Sequence, residues 1–98
     1  MNKEIHIICE LNCRDTDRAK VGELVQRFVE PAKSEAGCLY YDAYYDQQTG
    51  KFYILDGWQN QAAVDTHVQH PNVAQVMSEL RPLLTAEPKL TLLTRLAD

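Results

Sequence analysis

The sequence predicts an α+β fold: one antiparallel sheet with helices on one of its faces, in the element order βαββαβ. Three observations lead there. Four segments alternate apolar and polar residues as strands do. Other stretches repeat apolar residues every three or four positions, as amphipathic helices do. Gly, Asn and Pro punctuate the boundaries between them. The chain has 98 residues, enough for a single domain over residues 1–98 built on one core.

The first strand is EIHIICELNC. Ile5, Ile7, Cys9 and Leu11 form one side, and His6, Ile8 and Glu10 form the other. In RDTDRAKVGELVQRFVEPAKSEAG, Val21, Leu24, Val25, Phe28, Val29 and Ala32 make one helical face. Asp15 or Thr16 is the expected N-cap, Pro31 should bend or restart the helix because it lacks an N–H, and Gly37 is the expected C-terminal cap. CLYYDAYYD and KFYILDGW form a hairpin through QQTGK, where Gly50 supplies the permissive backbone. Asn60 should cap a short helix, NQAAVDTHVQ. Pro71 suits the first position of the next, PNVAQVMSELRPLL, in which Val73, Val76, Met77, Leu80 and Leu84 point inward and Pro82 limits the length. KLTLLTRLA is the last strand. This order is the ferredoxin-like arrangement. Its strands are apolar on both sides: Phe52, Ile54 and Trp58 against Tyr53 and Leu55, and Leu90 and Leu92 against Leu93. Helices cover one side only, so a second copy of the sheet is the simplest cover for the other. A homodimer with sheets face to face is expected.

Composition excludes several functions. Hydrophobic residues make up 45% and charged residues 24%; the net charge is −4 and the pI about 5.3. No basic cluster offers a nucleic-acid surface, and no apolar run reaches membrane-spanning length. The start, MNKEIHIICE, has no signal-peptide core, so a cytoplasmic protein is expected. Cys9, Cys13 and Cys38 contain no CxxC pair. Cys9 and Cys13 stand roughly 13 Å apart along a strand, too far to bridge, and free thiols are expected.

The stretch THVQHPN sets two histidines three residues apart, before a proline. A zinc-protease pair needs His at i and i+4, a Glu between and a third ligand. Here Val68 and Gln69 intervene, and Pro71 disfavours helical geometry at His70, so no metal site is expected. His70 then caps the following helix or faces water. His67 follows Ala63 and Val64 on their apolar face, which suits two readings. It is a core histidine satisfied by a backbone carbonyl, or it lines a pocket. The pocket reading draws on strand KFYILDGW, where Phe52, Ile54, Asp56 and Trp58 share one side. The helix carrying His67 must fold back over that side. A ring, a carboxylate and an imidazole then meet in a mostly apolar cavity suited to a small molecule. Asp56 beneath an apolar layer needs a partner, which His67 or a backbone amide can supply.

GCLYYDAYYD followed by FYILDGWQNQAAVDTHVQHPN resembles the antibiotic biosynthesis monooxygenase family, which includes quinol monooxygenases, autoinducer-degrading and haem-degrading enzymes. Glu35, Gly37, Cys38 and Tyr41 match its E-x-G-C-x-x-Y pattern. Asp56 and Trp58 match a strand that ends in an acidic residue, a spacer and Trp. His67 and Pro71 match H-x-x-x-P-H, with Asn72 in place of the second histidine. The resemblance implies a dimer with a pocket between sheet and helices in each subunit. It implies oxygenation of a small quinol or related electron-rich aromatic by O₂, with no cofactor. His67 is then the base and Asp56 orients it. Trp58 forms a stacking wall, and Tyr41, Asn72 and His70 contact the substrate. Asn72 can hydrogen-bond but is no acid–base group near neutral pH. His67 stands where the haem-degrading branch has Trp, and Met77 where that branch has its haem-ligating His, which argues against haem. Two other functions use the same pocket: oxygen-independent degradation or isomerisation of a small oxygenated signal molecule, and ligand binding without catalysis.

Overall fold

A computed structural model of the protein describes residues 3–97. Strand β1 (Ile5–Leu11) leads through a 3-10 turn at Asp15–Asp17 into helix α1 (Arg18–Lys33). The hairpin β2 (Cys38–Tyr45) and β3 (Phe52–Trp58) follows. Two helices, α2 (Gln61–Val68) and α3 (Pro71–Leu80), then a 3-10 turn at Arg81–Leu83, precede β4 (Lys89–Leu93). The sheet order is β2-β3-β1-β4 and every neighbouring pair is antiparallel. This is the ferredoxin-like fold that the pattern predicts.

The register sorts the side chains. β3 sets Ile54 beside Cys9 and Asp56 beside Ile7 on one flank, and Asp56 beside Tyr41 on the other. These residues face the helices. The core lies between, with Val21, Leu24, Val25 and Phe28 of α1 and Val76 and Leu80 of α3 buried against Leu11, Phe52, Ile54 and Trp58. The other side carries Ile8, Tyr53 and Leu55, with Tyr44 and Leu93 each about half exposed. No helix among the described residues lies over it. His6 sits on this outer side, its Nδ1 2.7 Å from the Tyr40 hydroxyl, and Gly57 leaves room for the Tyr40 ring.

Local chemistry meets several expectations and corrects others. Asn60 caps α2, its Oδ1 accepting from the Ala63 N–H at 2.9 Å, and Pro71 opens α3. Gly50 adopts a left-handed φ of 79° in the hairpin turn. At the start of α1 no side chain caps the helix: the 3-10 turn takes up the slack, with the Asp17 N–H on the Arg14 carbonyl at 2.9 Å. Pro31 neither breaks nor restarts α1, because it falls in the last turn, where its missing N–H orphans one carbonyl, that of Arg27. The Asn72 side-chain amide donates to that carbonyl at 3.2 Å. Gly37 is not a left-handed cap. It is needed because any side chain there would run into the Cβ of Ala63 on α2.

Candidate active site

A cavity of about 300 Å³ opens between the sheet and the three helices. Its floor is Ile7 and Cys9 of β1, Tyr41 of β2 and Ile54 and Asp56 of β3. Its roof is Phe28, His67, Val73 and Met77, and Arg81, Pro88 and Leu90 stand at the β4 side. Apolar groups dominate, and the polar ones are few, as in small-molecule sites generally.

At the β3 end, Trp58 and Asp56 lie two residues apart on the same strand side. The Trp58 Nε1–H donates to Asp56 Oδ2 at 2.6 Å. Trp58 is wholly buried; its ring lies 4.5 Å from that of His67, and the Tyr41 ring meets it edge-on at 6.5 Å. His67 comes from the last turn of α2 and is itself buried. Its Nδ1 lies 2.8 Å from Oε2 of Glu35, in the turn between α1 and β2. Tyr41 and His67 approach with ring centres 5.7 Å apart.

The electrostatics follow from burial. Loss of water pushes the Asp56 carboxyl above its usual range, while the Trp58 N–H and the nearby His67 pull it partly back. Burial, then the Asp56 charge, raises the Tyr41 phenol, which keeps its proton and can donate it in a hydrogen bond. The same two causes push the Cys9 thiol up to about 11, so at neutral pH it is not a thiolate nucleophile. Burial raises Cys13 and Cys38 as well, and all three cysteines are free. Among the described residues no group of three or more His, Cys, Asp or Glu side chains could hold a metal ion.

His67, Asp56 and Tyr41 thus meet in one cavity, and Trp58 stands behind them. Four details depart from the expected set. Asp56 does not hold His67: its hydrogen bond goes to the Trp58 indole, and Glu35 takes the histidine. Trp58 is no wall for a ligand, because it is fully buried behind His67 and Tyr41. His70 is the N-cap of α3, its Nδ1 accepting from the Asn72 N–H at 3.2 Å, and it does not line the cavity. Asn72 does not line it either, since its amide is spent on Arg27. Glu35 is the residue that sequence reasoning left without a role. It matched a motif, yet 32 positions separate it from His67, and no local spacing relates the two.

Comparison with known proteins identifies the family and the fold. Residues 4–79 match the model of the antibiotic biosynthesis monooxygenase family, and the chain belongs to that family. A Synechocystis protein, sll1783, described as uncharacterized, is 36% identical over 76 residues, covering 76% of this chain and 51% of its own; the chain thus spans about half the length of that relative. Rv0793 of Mycobacterium tuberculosis is 24% identical over 98 residues, covering 100% of this chain and 97% of its own. Its structure superposes with a TM-score of 0.91, at 23% identity, with 97% of each chain covered. PA3566 of Pseudomonas aeruginosa superposes with a TM-score of 0.90 at 26% identity, covering 99% of this chain and 98% of that one.

Proposed function

We propose that this chain is a monooxygenase that oxidises a small quinol or related electron-rich aromatic with O₂ and no cofactor, acting as a cytoplasmic homodimer. One observation carries the reading: a mostly apolar cavity of about 300 Å³ closes over a buried imidazole, a buried carboxyl and a protonated phenol. The family description points to the same class of chemistry. The free thiols suit a reducing compartment, and the helix-free side of the sheet suits a second copy.

The mechanism balances without an added reductant. His67 takes a phenolic proton from the quinol. The resulting anion gives one electron to O₂, and the semiquinone and superoxide recombine at a ring carbon. Protonation yields a hydroperoxide, which loses water to leave a new carbonyl. Quinol plus O₂ becomes hydroxyquinone plus water, and the substrate supplies every electron. Proton removal fits a histidine, which works near neutral pH. In this reading Tyr41 and Asp56, which both line the cavity, hold the substrate oxygens, and the apolar walls keep water from the radical pair.

Oxygen uptake by metal-stripped protein tests this. The panel is reduced naphthoquinols and polyphenols, each corrected for autoxidation. Protein-dependent uptake is expected with at least one naphthoquinol. Product formation without uptake would replace the reading with oxygen-independent degradation or isomerisation; binding with neither would leave a ligand-binding module.

A further inference from the structure

We propose that Glu35 is the positioning residue for His67. It fixes the proton of the neutral ring on Nδ1, leaves the Nε2 lone pair for the cavity, and stabilises the imidazolium once His67 has taken a proton. The activity part of this rests on the function proposed above; the tautomer part does not.

The geometry is specific. Nδ1 of His67 and Oε2 of Glu35 are 2.8 Å apart, with side chains only 11% and 12% exposed. An ionised carboxylate can only accept, so Nδ1 must be the nitrogen that donates to it. The other carboxylate in the cavity, Asp56, is already bound to the Trp58 indole. Trp58 and Tyr41 pack against the imidazole ring and restrict its rotation.

Glu35 is held as firmly as the ring it meets. Its N–H donates to the Ala32 carbonyl at 3.1 Å, and its own carbonyl accepts from Cys38 at 3.1 Å. The turn is tied to the end of β3 by the Gln59 N–H on the Gly37 carbonyl at 2.9 Å. Gly37 also lets the turn lie directly against Ala63, one helical turn before His67 on α2. The bare glycine therefore sets the distance between the carboxylate and the imidazole. Oε1 of Glu35 is buried and finds no hydrogen-bond partner among the described residues. Such an oxygen costs folding free energy. Among the described residues the buried carboxylate is thus held through the 2.8 Å contact of its Oε2 with the imidazole.

The tautomer can be read directly. Nitrogen-15 NMR of full-length protein labelled at histidine reports which ring nitrogen of His67 holds the proton, with His67→Ala used to assign the signal. In the unaltered protein the neutral ring is expected to carry it on Nδ1. Glu35→Ala should shift it substantially to Nε2, the form that a free imidazole side chain prefers in water. Glu35→Gln keeps an acceptor oxygen without the charge and should retain the Nδ1–H form; it also serves if the alanine variant does not fold. With a quinol that supports oxygen uptake, Glu35→Ala should lower kcat on the order of 10²-fold with KM little changed. Glu35→Asp should recover part of that loss. A proton on Nε2 in the unaltered protein, or a tautomer unmoved in Glu35→Ala, overturns the assignment. Failure of every quinol to be oxidised would overturn the function while leaving the tautomer result standing.

Discussion

On the proposed function the chemistry turns on His67 and Asp56, and the two respond to different tests. If His67 is the base, His67→Ala lowers turnover by roughly 10²-fold or more while the protein stays folded, as circular dichroism and thermal melting would report. A collapse of folding would instead mark a core histidine. Asp56 carries a pH signature. Its carboxyl is raised in the folded state, so its protonated form is favoured by folding. Its contribution to stability is thus fully present below the unfolded carboxylate value and is lost as pH rises through the higher folded value. Asp56→Asn removes the buried charge and keeps an acceptor for the Trp58 N–H. The variant should melt higher than the parent at pH 7 and lose that advantage at acid pH, with reduced turnover. Sequence reading finds Asp56 and His67 because alternation on β3 and the apolar face of α2 can be read from neighbours, whereas Tyr41 enters only through the family motif. It misassigns the hydrogen bonds because two acceptors competed for two donors, and only three-dimensional distance decides such a contest.

The elements show where local rules suffice and where they do not. Asn60, Gly50 and Pro71 act within three or four residues, and each does what its type predicts. Pro31, Asn72 and Gly37 act through partners far along the chain. Pro31 frees the Arg27 carbonyl, and Asn72, from the other side of the hairpin, fills the gap. The motif comparison placed Asn72 in the site, whereas its amide joins α3 to α1. Asn72→Ala should cost about 0.5–1 kcal/mol in chemical denaturation, since water can partly replace the amide. In a Pro31→Ala background the new N–H can take the Arg27 carbonyl, and the Asn72→Ala cost should shrink. Additive losses would refute the coupling. Gly37 teaches the same lesson: a glycine after a helix reads as a cap, yet here it serves a close approach to Ala63.

For the whole molecule, strand alternation gave the fold and the two-sided sheet. One side holds the core and the cavity. The other presents Ile8, Tyr53 and Leu55 with no helix among the described residues over them. On the proposed dimer, Leu55→Arg places a charge amid the joined sheets. It should convert dimer to monomer in light scattering, with the secondary structure retained. A parent protein that is monomeric at micromolar concentration would refute the dimer outright. Closure of the cavity depends on the sheet, α1, α2 and α3 together, so no single segment reveals it. Apolar periodicity located its walls, and the paired turn and helix that bring Glu35 to His67 emerge only from the assembled fold.

The most direct measurement is the fate of the oxygen atoms. Metal-stripped protein would be incubated with reduced naphthoquinols under ¹⁸O₂, and the products read by mass spectrometry. One labelled atom in a hydroxyquinone, formed by the parent protein and at least about 10²-fold more slowly by His67→Ala, is the expected result. Products without label, or label gained equally with and without protein, would contradict the account.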